Sequence, residues 1–280
     1  MKDAILEVLK WINDLLLGMA SDNSKLTGTM HDFMPTLYKY CVDVMDNVVK
    51  PVAYTVLALF FVLELYKAST RTDGIGGGAN QLGAEIVFRV LFRMVLCKLA
   101  VDSVSLIMNA IYDVTTHLTN GIAGQVGDGK VSGGLDTTAL EPLIADLGFW
   151  KQLVTLIICM IIFLVVLAAV TIAYIIIFAR FIELFVYFAI SPIPIATLPN
   201  EEMSQIGKNF LKSFAAVCLQ GTLIFLVLSF LPSVFTSLTE KSSDAMNLWG
   251  SLMGVLGYSL VLIMAVMSTG RWAKAISNAM

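Results

Sequence analysis

The run from Trp150 to Leu198 constrains this chain more than any other stretch. Between Phe163 and Ala179 it reads FLVVLAAVTIAYIIIFA, without a single charge; then come Arg180 and Glu183, the apolar FVYFAI, and the broken sequence SPIPIATLP. One helix from Trp150 to Ile190 would be about 60 Å long, twice the ~30 Å of a bilayer core. The run therefore crosses a membrane once and continues beyond it, or turns back into it. Composition agrees with a membrane setting: 58% of the residues are hydrophobic and 14% charged, with mean hydropathy +0.82. Several stretches reach the ~20 residues that span a bilayer. The fold class is all-α, a polytopic integral membrane protein with five transmembrane helices and an N-terminal amphipathic helix.

Residues 3–19 set Ile5, Leu6, Leu9, Ile12, Leu16 and Met19 at helical spacing, with charges opposite. Such a helix is too polar to span; it lies in the interface or packs on the protein's own spans. Asp3, Glu7, Lys10 and Asp14 stand where a cleavable signal needs its apolar region, so none is expected. A polar stretch, 20–35, and a second amphipathic one, 36–47, complete an N-terminal arm, 1–47.

The first span is expected at Val48–Leu65, with Pro51 in its first turn, where a missing N–H is harmless. GIGGGA follows in the connector; no strand precedes it, so it reads as a flexible loop rather than a nucleotide site. The second span, Glu85–Tyr112, begins with Glu85, Arg89 and Arg93 stacked at i, i+4. Deeper in, Lys98, Asp102, Ser105, Asn109 and Asp113 fall within about 80° of one another, a polar stripe through the membrane. Ionisable groups at that depth are costly and face protein or water. Two readings stay open: a Lys98–Asp102 ion pair joining helices, or a water- or substrate-lining face.

Residues 113–149 form a Gly- and Thr-rich acidic loop, with Asp128, Asp136, Glu141 and Asp146 against Lys130. The remaining spans fall at Trp150–Ala179, Phe214–Phe235 (Gln220 its deepest strongly polar side chain) and Leu248–Thr269. The last carries Gly250, Gly254 and Gly257, GxxxG spacing that lets a second helix approach closely. Trp272, Arg271 and Lys274 make an interfacial anchor. Cys41, Cys97, Cys159 and Cys218 are scattered, and His31 and His117 lie outside the spans, so neither a disulfide framework nor a metal centre is expected.

If residues 180–212 stay on one side, Lys67, Arg71, Arg180, Lys208, Lys212, Arg271 and Lys274 collect there, against Lys130, Lys151 and Lys241 in the opposite loops. The positive-inside rule then places the N-terminus outside and the C-terminus inside. The N-terminal arm, with five lysines outside, is the exception. Making Phe181–Leu198 a sixth span weakens the bias, and Pro192, Pro194 and Pro199 cannot continue a regular helix.

The stretch ARFIELFVYFAISPIPIATLP, followed by a polar turn and GKNFLKSFAAVCLQGTLIFLVL, resembles the TrbL-like polytopic subunit of type IV secretion and conjugation machines, the sixth member of the VirB set. The likeness is clearest over residues 150–270. It implies Arg180 and Glu183 at the cytoplasmic end of the central helix, Pro192 and Pro194 in the turn that follows, and Lys212, Phe214 and Gln220 opening the next span. Lys208 lies in the same cytoplasmic segment. Arg180 and Glu183, at i, i+3, can also bond each other or meet a neighbouring subunit. The loop between spans two and three is much shorter here than in the Gram-negative members, which suits a Gram-positive-type, single-membrane envelope.

The expected function is a non-enzymatic channel or scaffold subunit in the bacterial cytoplasmic membrane, without cofactors. It would oligomerise in lipid, join other secretion subunits and cytoplasmic ATPases, and help a DNA–protein substrate cross. The "DNA channel" part comes from the resemblance alone. Few and mixed buried charges predict weak, transient substrate contact, since a pore gripping phosphate would be strongly basic. The alternative is a small-molecule permease, favoured by the Pro-rich break and the Lys98–Asp102 pair but lacking the internal repeat. An intramembrane hydrolase lacks the required nucleophile–base or metal constellation.

Overall fold

The computed structural model describes residues 2–21, 28–72, 79–126, 144, 148–200, 202–243 and 248–279. Expectations for the GIGGGA connector (almost all of it) and for most of the 113–149 loop fall outside these residues. The described elements are helical: α1 (Lys2–Ser21), α2 (Met30–Phe33), α3 (Pro35–Val44), a π-helical turn (Met45–Val49), α4 (Lys50–Thr72), α5 (Ala79–Asp102), α6 (Val104–Val126), α7 (Phe149–Ile190), α8 (Pro192–Ala196), α9 (Ser204–Ser243) and α10 (Leu248–Ser277). Among the described residues, four stretches are long and apolar enough to cross a membrane: Pro35–Lys67, Phe149–Ile190, Ser204–Phe230 and Leu252–Ser277. The expected second span is helical too, but Glu85, Arg89, Arg93 and Lys98 make α5 more polar than these four. Backbone bonds run through its joint with α6, from Ser103 N to Leu99 O and from Ile107 N to Ser103 O. Helix continues past Asp113 to Val126, where the sequence suggested a loop.

Pro51 was expected in the first turn of a span; it lies instead inside a helical run that begins at Pro35. An internal proline removes one backbone bond and crowds the carbonyl four residues back. Here the turn before it widens: Met45–Val49 is π-helical, and Lys50 N–H bonds Met45 O, five residues back. The wider turn accommodates the ring without breaking the helix.

The chain forms two compact units. The first comprises Met1–Gly28, Thr116–Arg180 and Gln220–Ala273. Its organising surface is one face of α7, where Thr155, Cys159, Ile162, Val166, Ala169, Ala173 and Ile177 are buried at steps of three or four. Ile157, Ile161, Leu164 and Ile175 are exposed on the other sides. A helix that is apolar all round thus divides between protein-facing and lipid-facing surfaces. In lipid an exposed leucine costs little, so the packing term decides, and Ala169 and Ala173 permit close approach. On α1, Ile5, Leu9 and Ile12 are fully buried, and Trp11 lies 6.1 Å from Phe163 between ring centroids. Of the two places open to that face, the chain itself provides the cover, leaving Asp3, Glu7, Lys10 and Asp14 outside.

The second unit comprises Thr29–Thr115, Phe181–Leu219 and Lys274–Met280. Its aromatic contacts lock α2 and α3 onto the end of α7: Phe33 stacks on Phe181 at 3.5 Å and 10°, and Tyr38 meets Phe188 at 5.4 Å. The proline-broken segment does not stand clear of the spans. Helix α8 packs on α4 and α5, and Ser191 Oγ lies 4.0 Å from Met45 Sδ. These two helices cover the break.

Candidate functional site

Three arrangements hold the chemically distinctive side chains. The first lies where α4 crosses α5. Lys98 Nζ is 2.8 Å from Asp102 Oδ2, and the Tyr54 hydroxyl donates to Asp102 Oδ1. From the start of α4, Lys50 Nζ reaches Asp46 Oδ1 at 2.8 Å and the Asp102 carbonyl at 3.2 Å. Two ammonium groups and two carboxylates sum to zero charge, the cheapest way to hold four ions between two helices. Two turns further along, Asn109 Nδ2 donates to the Tyr38 hydroxyl at 3.0 Å. Lys98 and Asp102 thus pair within α5, and Asp102 also meets Tyr54 and Lys50 of α4; Ser105 is half-buried and Asp113 exposed. Lys50, Tyr54 and Tyr38, which complete the network, were passed over in the sequence because they sit on other helices.

The second arrangement closes the proline-broken segment. Lys67 Nζ, at the end of the first span, meets Glu202 Oε1 at 2.7 Å. Arg93 Nη1 donates to the Pro199 carbonyl at 3.2 Å. Lys67 holds the Glu202 carboxyl below its ordinary range. Asn200 caps α9: its Oδ1 accepts from Glu202 N at 3.0 Å and Met203 N at 2.9 Å. Pro192 is buried and Pro194 half-buried; Lys208 is exposed and Lys212 half-buried on α9. Glu64, one turn before Lys67, buries its Oε1 without a hydrogen-bond partner, an acid that sequence reading missed.

The third arrangement centres on Arg180 and corrects an expectation. Arg180 was expected at the cytoplasmic end of the central helix, bonded to Glu183 or meeting a neighbouring subunit. It is 4% exposed, while Glu183, three residues on, is exposed. Arg180 turns inward, its guanidinium seated over Gly221: a Cβ added there would stand 2.1 Å from Cζ and 2.2 Å from either Nη. Beside it, the buried hydroxyls of Thr119 and Thr222 share a 2.9 Å hydrogen bond. Gln220 is half-buried and faces Gly270, whose added Cβ would lie 3.4 Å from Nε2. In α10, Gly250, Gly254 and Gly257 are half-buried, and an added Cβ at Gly257 would meet nothing within 4 Å.

Long apolar helices, charges paired between them and a broken helix wrapped by its neighbours define a polytopic α-helical membrane protein. The family model described as TrbL/VirB6 plasmid conjugal transfer like protein matches residues 18–192. The chain belongs to that family. The match takes in the first two expected spans and the whole central helix, extending well to the N-terminal side of the stretch in which the resemblance was read. No curated protein and no solved structure gives a match.

Proposed function

We propose that the protein is a non-enzymatic channel or scaffold subunit of a conjugative type IV secretion system. It sits in the cytoplasmic membrane and helps a DNA–protein substrate cross. The family match carries this reading, because it names plasmid conjugal transfer and covers well over half the chain. The five-span arrangement has the N-terminal arm and the 113–149 loop outside and 180–212 inside. The contacts of Lys67 with Glu202 and of Arg93 with the Pro199 carbonyl support it: they set the end of the proline-broken turn beside the basic ends of two spans. Cytoplasmic ATPases and other secretion subunits are its partners, and it self-associates through α10.

The test is plasmid transfer from a donor lacking this chain. Transfer is expected to fall to background and to return with the wild-type chain; unchanged transfer would sink the reading and bring the permease forward. Gly257→Leu probes the oligomer in the same assay. Within one chain the added side chain has room at its base, so the fold should survive. The detergent-extracted complex should dissociate to monomer on a sizing column. An unchanged complex would remove α10 as the contact.

Orientation is read at Met203, which is 44% exposed, rather than at the buried, capping Asn200. In a background without the four native cysteines, Met203→Cys should resist a membrane-impermeant thiol reagent in intact cells and react once they are opened. Labelling in intact cells would place this segment outside and favour six spans.

A further inference from the structure

We propose that the groove between α4 and α5 is a binding site for one acyl chain of a bilayer phospholipid, with the lipid phosphate on Lys98. The groove encloses about 370 Å³. Its walls are apolar, Ala58 and Phe61 from α4 and Leu91 and Val95 from α5, and Tyr54 and Lys98 stand at one end. The helices run antiparallel here, so positions 54 and 98 share that end and positions 61 and 91 the other. The seven-residue stretch between them is about 10 Å long, enough for part of an acyl chain.

The polar end fixes the orientation. Lys98 carries three donors; one is used on Asp102 Oδ2, and the side chain is 62% exposed. Its ammonium lies 6.0 Å from the Tyr54 ring centroid, and Tyr54 is tied to the same aspartate. The headgroup end is therefore held by Asp102 from two helices. A second protein helix in the groove would have to bury Lys98 against apolar side chains, at the cost of a desolvated charge. A phospholipid brings a negative phosphate to that point and an apolar chain to the walls. Asp102 offsets the Lys98 charge, so the phosphate contact rests on the ammonium donors still turned to solvent and not on a net positive charge. In the expected first span, Val48–Leu65, Tyr54 stands six residues, about 9 Å, from the start, a distance that an extended lysine side chain partly covers by snorkelling. This inference stands apart from the transfer function and can fail without it.

The test is native mass spectrometry of the full-length protein, stripped of lipid in detergent and offered phosphatidylglycerol with one palmitoyl and one oleoyl chain. Wild type is expected to hold one lipid per chain. Ala58→Trp fills the groove from an exposed position and should lower occupancy about tenfold. Lys98→Gln should weaken it about fivefold, the effect of losing a solvent-facing ionic contact, and Lys98→Arg should restore it. Leu59→Trp, one residue from the groove on an exposed face, should bind as wild type. Equal retention by wild type, Ala58→Trp and Lys98→Gln would overturn the proposal, as would no retained lipid in wild type. A dimer lost only in Ala58→Trp would give the groove to a second copy instead.

Discussion

Gly221→Ala is expected to destabilise the protein by roughly 3 kcal/mol, the upper end of overpacking penalties. The new methyl would stand 2.1 Å from the Arg180 guanidinium carbon. An arginine tip is flexible, so in water it would simply move aside. Here the side chain is buried, and moving it means resettling a charge and five donors inside an apolar bundle. A protein of this size should lose about 10 °C in thermal midpoint in detergent, and plasmid transfer should fall with it. The decisive comparison is the same substitution in an Arg180→Met background. With no guanidinium to displace, Gly221→Ala should become neutral or gain up to ~1 kcal/mol from helix propensity. A coupling of about 3 to 4 kcal/mol between the sites would show that the charge occupies the glycine's space. Additive effects would show that Gly221 is needed for something other than Arg180.

The architecture was largely legible because period and length speak directly in a membrane chain. The central helix, the helical extension beyond Ala179 and the break at Pro192 all follow from an unbroken apolar run closed by prolines. The Lys98–Asp102 pair was legible as well, since i, i+4 spacing puts two opposite charges together whatever surrounds them. What a single strand of sequence could not carry is which way a polar residue faces when its partner lies far along the chain. Arg180 at the end of an apolar stretch has the pattern of a snorkelling anchor; the feature that turns it inward is an absent side chain forty-one positions later. The Tyr54 and Lys50 contacts with Asp102 are of the same kind. Pro51 misled for a local reason: residues 35–47 are amphipathic and looked like a separate element, so the proline seemed to start a helix that had already begun.

The glycines divide along the same line. Gly250, Gly254 and Gly257 announce themselves by spacing, whereas Gly207 and Gly221 stand alone in helix α9 and carry no pattern. Yet an added Cβ meets a neighbour closer than 3 Å at these two, and nothing at Gly257. Spacing finds surfaces that a second helix can approach. It does not find the places where this chain has already closed on itself.

Gly207→Ala should therefore be costly, and by a different route from Gly221→Ala. The added Cβ would meet the Pro194 carbonyl oxygen and Leu198 Cδ2, both at 2.7 Å. Leucine can rotate; the carbonyl cannot, because it already accepts the Thr197 hydroxyl at 2.7 Å and the Thr197 N–H at 3.2 Å. Relief must come from moving helix α9 off the proline turn, which opposes the Asn200 cap and the Lys67–Glu202 contact that hold the segment closed. The expected loss is about 2 kcal/mol after the helix-propensity gain of an alanine is subtracted, and Gly207→Val should exceed it. Gly121→Ala in α6 is the matched control: the same change, in a helix, with nothing within 4 Å of the added Cβ, and it should be neutral or stabilising by up to ~1 kcal/mol. Thermal midpoints of the two alanine variants should thus move in opposite directions, or one should fall while the other stays. The turn itself can be watched through a cysteine at Met203, which should react faster with a thiol reagent in opened cells when Gly207 is replaced. If both glycines tolerate alanine equally, the proline segment is not packed against α9 as described, and the support it lends to the inward placement of residues 180–212 goes with it.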